Sequence, residues 1–239
     1  MNKDIDLMIK SIKINNPGIS EEILKAFRVV DRKFFVRDEP YRDEPKHVAH
    51  GQTISQPSTV ARMLVMSRLE RGMDVLEIGT NTGYHAALVA FLVFPSSVMT
   101  IEIFPDLAKK AKKNMEKFLI GLKKEKKKVA ARFSKLNIFA GDALDKKTEI
   151  WNYKYDRIYF TASVDSRQIN EVKKMALKLL KEKGLLLYPT REAWDYGALE
   201  IWQKKGKKLE VVRREEGYAF VPLLKKEELE EMYEKRKLK

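Results

Sequence analysis

One stretch, residues 74–88, constrains the fold more than any other part of the chain. It opens with the apolar run Val75 to Ile78, breaks into a small-residue loop from Gly79 to Gly83, and then resumes with helical spacing. This pattern predicts a buried strand, a tight turn and the start of a helix. The two glycines allow backbone angles and close approaches that a side chain would block.

The loop between this strand and helix has the features of a binding site. Its backbone N–H groups, from Thr80 to Gly83, would point at an anion together with the positive end of the helix. However, the glycine motif of dinucleotide-binding enzymes is absent, since position 81 is Asn and Gly83 ends the turn. Bound phosphate is therefore disfavoured.

A second apolar run, Val98 to Ile101, ends in the acid Glu102 about twenty residues after the loop. An acid at the tip of the second strand of a βαβ unit can accept hydrogen bonds from ribose hydroxyls, and it repels a 2′-phosphate. Together the loop and Glu102 predict a site for a nucleoside that lacks phosphates. The alternative is structural: an ordinary strand-to-helix turn and a solvated acid.

The loop and Glu102 resemble the S-adenosylmethionine site of class I methyltransferases, and other blocks narrow the resemblance to the protein-L-isoaspartate O-methyltransferases. The blocks follow the family's order along nearly the whole chain: Tyr41–Pro45, Gly51–Pro57, Val75–Ala87, Gly141–Ala143, Tyr155–Ile158 and Phe220–Leu223. The first two are the specific ones, because the glycine loop is shared by methyltransferases that act on DNA, RNA, proteins and small molecules.

The resemblance implies a fold, a cofactor and a set of site residues. The fold would be a Rossmann-like α/β domain, a mostly parallel twisted sheet with helices on both faces and a C-terminal antiparallel hairpin. Asp142 would bind the adenine amino group, and Ala143 stands where the family usually has glycine. The implied S-adenosylmethionine-binding residues are Thr53, Ile54, Ser55, Gly79, Thr80, Asn81, Gly83, Glu102, Ile103, Asp142 and Ala143.

The implied reaction is esterification of the carboxylate of L-isoaspartyl residues, which starts the repair of damaged proteins. Ser55 would lie beside the methyl acceptor as the catalytic residue. The implied substrate-binding residues are Gln56, Pro57, Thr161, Ala162 and Ser163. A carboxylate acceptor is already ionised at neutral pH, so the protein needs no strong base. It must align the reacting atoms and exclude water.

Two observations keep other functions open. The family has small residues and a proline after the threonine at position 161, whereas this chain has residues 162–167, Ala-Ser-Val-Asp-Ser-Arg. The formal net charge of +14, from 48 basic and 34 acidic residues, would attract polyanions. The alternatives are an RNA methyltransferase of the same fold and a cofactor-binding module that holds nucleic acid without this activity.

Other sequence features disfavour these alternatives. No Asn-Pro-Pro-Tyr-type motif for amino methylation follows the predicted strand that ends at Thr161. The lysines at 109–113 and 123–128 have no aromatic residues interleaved, so we interpret them as a solvated helix face.

Composition excludes further classes of protein. The chain has no cysteine, which rules out disulfides and thiolate chemistry, and its three histidines show no metal-ligand spacing, so we expect no metal. The N-terminus is polar, and the longest apolar run, residues 86–94, is too short to span a bilayer, which predicts a cytoplasmic protein. The 34% share of charged residues suits a thermophile.

With 239 residues and 44% hydrophobic content, the chain suits a single domain. We expect N-terminal helices and a covering loop over 1–57, the core over 58–224 and a charged terminal helix over 225–239. Specific expectations are a helix that opens at Ser58 and Thr59, one over 107–119 followed by an enlarged connection over 120–135, one over 169–180 stopped by Gly184, and a last sheet segment at 220–223. The sequence predicts no oligomeric state.

Overall fold

The computed structural model describes residues 3–125, 127–192 and 196–237. Its strands are β1 (Lys46–His47), β2 (Thr53–Ile54), β3 (Val75–Ile78), β4 (Val98–Glu102), β5 (Leu136–Ala140), β6 (Tyr155–Phe160), β7 (Leu180–Pro189), β8 (Gly197–Lys205) and β9 (Lys208–Tyr218). Its α-helices are α1 (Lys3–Asn15), α2 (Glu21–Val29), α3 (Pro57–Ser67), α4 (Tyr84–Val93), α5 (Pro105–Glu125), α6 (Lys127–Ala130), α7 (Ile169–Leu179) and α8 (Lys226–Lys237).

The main sheet has seven strands in the order β5-β4-β3-β6-β7-β8-β9 in the described part of the chain. The five from β5 to β7 are parallel, and β8 and β9 are antiparallel, so the predicted mixed sheet with a terminal hairpin is confirmed. β3 pairs with β4 on one side and with β6 on the other. The strand order therefore reverses at β3, where open α/β sheets form crevices for ligands.

Both faces of the sheet are covered, as predicted. Successive residues of β6 show this, because Ile158 belongs to one buried apolar cluster and Tyr159 to the other. The cluster around Tyr159 includes residues of α1 to α5, and the cluster around Ile158 includes residues of α7. Strands buried on both faces read as nearly continuous apolar runs, which is the pattern of β3 and β4 apart from Glu77, Thr100 and the terminal Glu102.

Two helix predictions need correction. α3 begins at Pro57 rather than Ser58, since proline suits the first helical position, where no N–H is needed. α5 continues to Glu125 rather than ending at 119, and α6 with a short 3₁₀ helix fills the predicted connection. Gly121 does not break α5; it permits close approach to Phe34, whose Cζ would lie 3.0 Å from an added Cβ.

The predicted role of Gly184 was wrong. α7 ends at Leu179, and Gly184 lies inside β7, which starts at Leu180 rather than 185. A lysine instead donates hydrogen bonds to carbonyls at the end of the helix: Lys204 Nζ lies 2.7 Å from the Leu177 oxygen and 2.8 Å from the Leu180 oxygen. A β-strand partner therefore supplies the cap that the sequence suggested glycine would supply.

The prediction that the segment 220–223 completes the sheet was wrong, because β9 is the edge strand. The segment makes only an isolated bridge between Pro222 and Ser163, and a proline cannot donate to a strand ladder. The predicted terminal helix is confirmed as α8. Residues 238 and 239 of that prediction, and the side chains of 123–126 in the lysine-rich stretch, lie outside the described residues. Among the described helices, none is both long and apolar enough to cross a membrane.

Candidate active site

A cleft of about 860 Å³, counting the open space at its mouth, lies beyond the carboxyl ends of β3, β4 and β6. Its walls come from three strand ends, the covering segment 52–55 and the segment 221–224. The predicted cofactor residues that line it are Thr53, Ile54, Ser55, Gly79, Thr80, Asn81, Glu102, Ile103 and Ala143. Gly83 and Asp142 do not line it. The sheet therefore brings together, from distant parts of the chain, most of the residues that the resemblance implies.

The glycine loop is shaped by contacts with the end of β6. Gly79 has φ +99, and an added Cβ would lie 2.2 Å from Thr161 Oγ1, so no other residue fits without displacement. The Thr161 hydroxyl lies 2.6 Å from the Gly79 carbonyl and 3.2 Å from the Ile78 carbonyl, to which it can donate. Gly83, at φ +88, is the N-cap of α4. These glycines therefore set the loop's path, which opens the cleft beneath it.

Glu102 is buried at the end of β4, with 5% of its surface exposed. One carboxylate oxygen accepts a hydrogen bond from the Asn81 N–H at 2.8 Å, and the other accepts from the Phe104 N–H at 3.2 Å. Burial raises the pKa of the Glu102 carboxyl above its ordinary value of 4.5, while these backbone donors act in the opposite direction. Each oxygen has a second lone pair, so the carboxylate can accept further hydrogen bonds from a ligand.

A polar network beneath the loop was missed by the sequence analysis. Glu77, fully buried in β3, has one oxygen 2.8 Å from His85 Nδ1 and accepts from the Thr100 hydroxyl at 2.7 Å. The Thr100 and Thr80 hydroxyls are also 2.7 Å apart. This network connects the loop and α4 to the two central strands. The available signal was an acid inside an otherwise apolar run, which is rarely buried without partners.

A second cavity, a groove, adjoins the cleft. It lies between the end of α1, the start of α3, Tyr196 and the segment 216–221. Four residues line both the groove and the cleft: Thr53, Ser55, Thr161 and Val221. Ser55, the predicted catalytic residue, therefore stands where the two cavities meet.

The predicted substrate residues are distributed unevenly. Gln56 lines the groove, and its amide donates to the Ser58 hydroxyl at 2.8 Å. Pro57 is buried at the start of α3, outside both linings. Ala162 lines the cleft only. Ser163 is buried, and its hydroxyl lies within hydrogen-bond distance of the carbonyls of residues 220 and 221, so this side chain holds a wall of the groove in place.

The Asp142 side chain connects the loop after β5 to the start of α8. Its carboxylate accepts from the N–H of Leu144 at 2.8 Å and from that of Lys226, the first residue of α8, at 3.0 Å. The neighbouring residues Gly141 and Ala143 line the cleft. Adenine readout by Asp142 stays a prediction. Within the described residues, no group of three or more His, Cys, Asp or Glu side chains is arranged to hold a metal.

Comparison with known proteins agrees with this geometry. The family model for protein-L-isoaspartate(D-aspartate) O-methyltransferase matches residues 3–228. A protein-L-isoaspartate O-methyltransferase of Thermococcus onnurineus is 34% identical over 224 residues, which cover 89% of this chain and 90% of the relative. One from Ignicoccus hospitalis is 33% identical over 220 residues, which cover 87% and 90%.

Solved structures support the same fold. A protein-L-isoaspartate O-methyltransferase superposes with a TM-score of 0.73 at 25% identity, over 91% of this chain and 65% of the other. A Plasmodium falciparum protein described under the same enzyme name, solved with S-adenosyl-L-homocysteine, gives a TM-score of 0.72 at 23% identity, over 91% and 97%. By its sequence match over nearly the whole chain, this protein belongs to the protein-L-isoaspartate(D-aspartate) O-methyltransferase family.

Proposed function

We propose that this protein transfers the methyl group of S-adenosylmethionine to the carboxylate of L-isoaspartyl residues in proteins and peptides. The observation that carries the proposal is the junction of cleft and groove at Thr53, Ser55 and Thr161. A nucleoside-binding cleft that opens onto a surface groove suits a reaction between a small cofactor and a chain that cannot be enclosed. Ser55 lies at this junction, where the two reactants would meet.

The residues of the cleft fit the cofactor. Glu102 offers carboxylate lone pairs for ribose hydroxyls, and its charge would repel phosphates. Asn81 Oδ1 is buried without a hydrogen-bond partner among the described residues, which leaves an acceptor at the loop unused. Ile101, Ile103 and Phe104 supply apolar surface for a purine ring. When bound, S-adenosylmethionine would supply an electrophilic methyl group on a sulfonium.

The chain's own residues have a positioning task. Because an isoaspartyl carboxylate is ionised at neutral pH, no side chain has to remove a proton from it. The Ser55 hydroxyl can donate a hydrogen bond to one carboxylate oxygen and so fix the direction of the other. The covering segment and the segment 221–224 both line the cleft, so an acceptor bound at the junction would displace water from the reacting atoms.

The altered loop after Thr161 does not argue against this substrate. Of residues 161–167, only Thr161 lines the groove, and only Thr161 and Ala162 line the cleft. Asp165 and Arg167 pair with each other in a local turn, with the Arg167 side chain largely exposed. The departure from the family pattern therefore lies beside the groove rather than in its walls.

The RNA alternative is not favoured. In the described linings, the groove has Arg62 and Glu216 as its charged residues and the cleft has Glu102, with no lysine in either. Arg62 is itself paired with Glu215. The basic residues that give the chain its net charge lie elsewhere, so the junction lacks the cationic surface that a nucleic-acid backbone requires.

The direct test uses radiolabelled S-adenosylmethionine with paired peptides that differ only in an aspartyl or isoaspartyl linkage. We expect base-labile label on the isoaspartyl peptide alone, and for Ser55→Ala a loss of about 10- to 100-fold in kcat that exceeds any loss in cofactor affinity. Ser67→Ala is a matched control, because the Ser67 hydroxyl only donates to the Met63 carbonyl inside α3. Label on RNA, or equal label on both peptides, would refute the proposal.

Broader assignments follow from this proposal. Methylation of isoaspartyl carboxylates would begin the repair of damaged proteins, and we place that work in the cytoplasm. A thermophilic source is supported by the 34% charged residues and by ion-pair networks such as that of Arg214 with Glu192, Glu200 and Glu216.

A further inference from the structure

Arg32 is a fully buried cation close to the junction of cleft and groove. It opens a short 3₁₀ helix after α2, and its exposed fraction is 0%. Burial lowers the pKa of the guanidinium from its ordinary value of 12.5, while Tyr84 and Asp43 act in the opposite direction. Burying a charged group costs free energy unless it is well paired, so the contacts of this side chain require an explanation.

The partners of Arg32 are backbone carbonyls. Its Nη2 donates to the Ser55 carbonyl at 3.0 Å, and its Nη1 lies 3.3 and 3.4 Å from the carbonyls of Pro40 and Arg42. Among the described residues its Nε has no hydrogen-bond partner, and the carboxylate that acts on its charge is that of Asp43. Its guanidinium carbon also lies 5.4 Å from the ring centroid of Tyr84, which lines the cleft. A single side chain thus joins the loop that contains Pro40 and Arg42, the covering segment and the start of α4.

The planar fork of an arginine suits this arrangement, since its donors point in fixed, divergent directions. The start of α3, which follows the covering segment, is fixed separately, because Asp43 Oδ1 accepts from the Ser58 N–H at 2.8 Å. Asp43 is in turn held by the Ser11 hydroxyl at 2.7 Å. The Ser55 carbonyl is therefore held by Arg32, and α3, which begins two residues later, is held by Asp43.

We propose that Arg32 is a positioning residue for methyl transfer: by holding the Ser55 carbonyl, it fixes the backbone from which the Ser55 hydroxyl reaches the acceptor carboxylate. This inference rests on the proposed function. A purely structural Arg32 would change stability alone. A positioning Arg32 would change turnover through Ser55, in a protein that still folds and still binds its cofactor.

The test compares Arg32→Lys with a matched control, Arg157→Lys. Arg157 also donates to backbone carbonyls, those of Ser67 at 2.6 Å and Arg68 at 3.0 Å, but at the opposite end of α3. We expect Arg32→Lys to lower kcat on the isoaspartyl peptide about 10- to 100-fold. The Kd for S-adenosylhomocysteine should weaken much less, by about tenfold at most, since Thr53 and Ile54 also line the cleft. Arg157→Lys should keep kcat within about twofold, even where it lowers the melting temperature.

A double-mutant cycle shows whether Arg32 acts through Ser55. In a Ser55→Ala background, Arg32→Lys should cause no further loss of kcat, because the hydroxyl that it positions is gone. Losses that multiply, an unchanged kcat in Arg32→Lys, or a cofactor Kd that weakens in proportion would each overturn the proposal.

A second variant and a second readout cover the failure of Arg32→Lys to fold. Arg32→Gln removes the buried charge and keeps an N–H donor pair, and it should lose kcat in the same way. In the variant that folds, amide hydrogen exchange should accelerate over residues 53–56 and stay unchanged over 75–88; unchanged exchange over 53–56 would refute the assignment. If the wild-type protein does not methylate the isoaspartyl peptide, the proposed function fails, while hydrogen exchange still tests what Arg32 holds.

Discussion

Replacing Glu102 by Gln should weaken cofactor binding strongly. The carboxylate is buried at the end of β4 and already accepts the N–H groups of Asn81 and Phe104. Each oxygen keeps a lone pair for a ribose hydroxyl. Glutamine has one acceptor oxygen, and its NH₂ group would face one of the two backbone N–H donors. The variant therefore loses charge as well as one acceptor position.

The size of the effect follows from these contacts. A hydrogen bond to a charged acceptor contributes about 1.5–3 kcal/mol, and the assignment of Glu102 to the ribose predicts two such bonds, one to each hydroxyl. Allowing for the acceptor that glutamine keeps, we expect a loss of about 2–4 kcal/mol in binding, or on the order of 30- to 1,000-fold in Kd. Calorimetric titration with S-adenosylhomocysteine measures this directly.

The pH dependence of binding supplies a second readout. Burial raises the pKa of the Glu102 carboxyl above 4.5, so this group takes up a proton at a higher pH in the folded protein than in the unfolded chain. Cofactor affinity should therefore fall as the pH falls through that raised value, and Glu102→Gln should not show this fall. The same carboxyl has no effect on folding stability below about pH 4.5, destabilises the fold increasingly as the pH rises from there to its raised pKa, and has its full destabilising effect above that value.

Glu200→Gln is the control for this experiment. Glu200 is also a buried carboxylate, but it lies in β8, outside the lining of the cleft, and its partners are Tyr188, Trp202 and Arg214. Its replacement should lower stability and leave the cofactor Kd unchanged. If Glu102→Gln binds S-adenosylhomocysteine within about threefold of the wild-type protein, the assignment of Glu102 to the ribose is wrong.

Further variants test the loop, the cover and the ion pairs. Gly79→Ala should lower the free energy of unfolding by about 2–4 kcal/mol and abolish cofactor binding. Adding Thr161→Ala to this variant should restore part of the stability, measured by denaturant titration, and part of the binding, measured by calorimetry. The His50 ring stacks on the Phe104 ring with 4.4 Å between centroids, just before the covering segment 52–55. His50→Ala should therefore loosen that segment and speed cofactor release, which stopped-flow measurements would show, with little change in melting temperature. Arg214→Met should cost about 1 kcal/mol, discounted for its partial exposure, and less at high salt.

The sequence predicted the central part of the fold well because the signals there are local. The apolar runs of β3 and β4, the glycine loop and Glu102 all fall within residues 74–102, and each constrains the next. Gly184 was misleading, because the sequence does not distinguish a glycine that ends a helix from one that permits close packing. An added Cβ at Gly184 would lie 2.9 Å from the carbonyl oxygen of Lys181 and 3.2 Å from that of Asp156, which comes from a distant part of the chain.

Long-range contacts explain what the sequence did not reveal about the site. Ser163 follows Thr161 closely and was assigned to the substrate, yet its hydroxyl faces the carbonyls of 220 and 221. The sequence does not indicate that Arg32 is buried, since an arginine in a polar stretch normally lies on the surface. Its burial depends on the carbonyls of Pro40, Arg42 and Ser55, which meet only in the folded chain.

The net charge of +14 illustrates the difference between a global property and a local site. A net positive charge acts at long range and raises the local concentration of any anion, which includes acidic proteins as well as nucleic acids. Recognition depends on the groups within hydrogen-bond distance, and the groove offers Arg62 already paired with Glu215. A substrate that carries one carboxylate on an otherwise uncharged backbone suits such a groove, whereas a polyphosphate chain would find no cation to neutralise each of its charges.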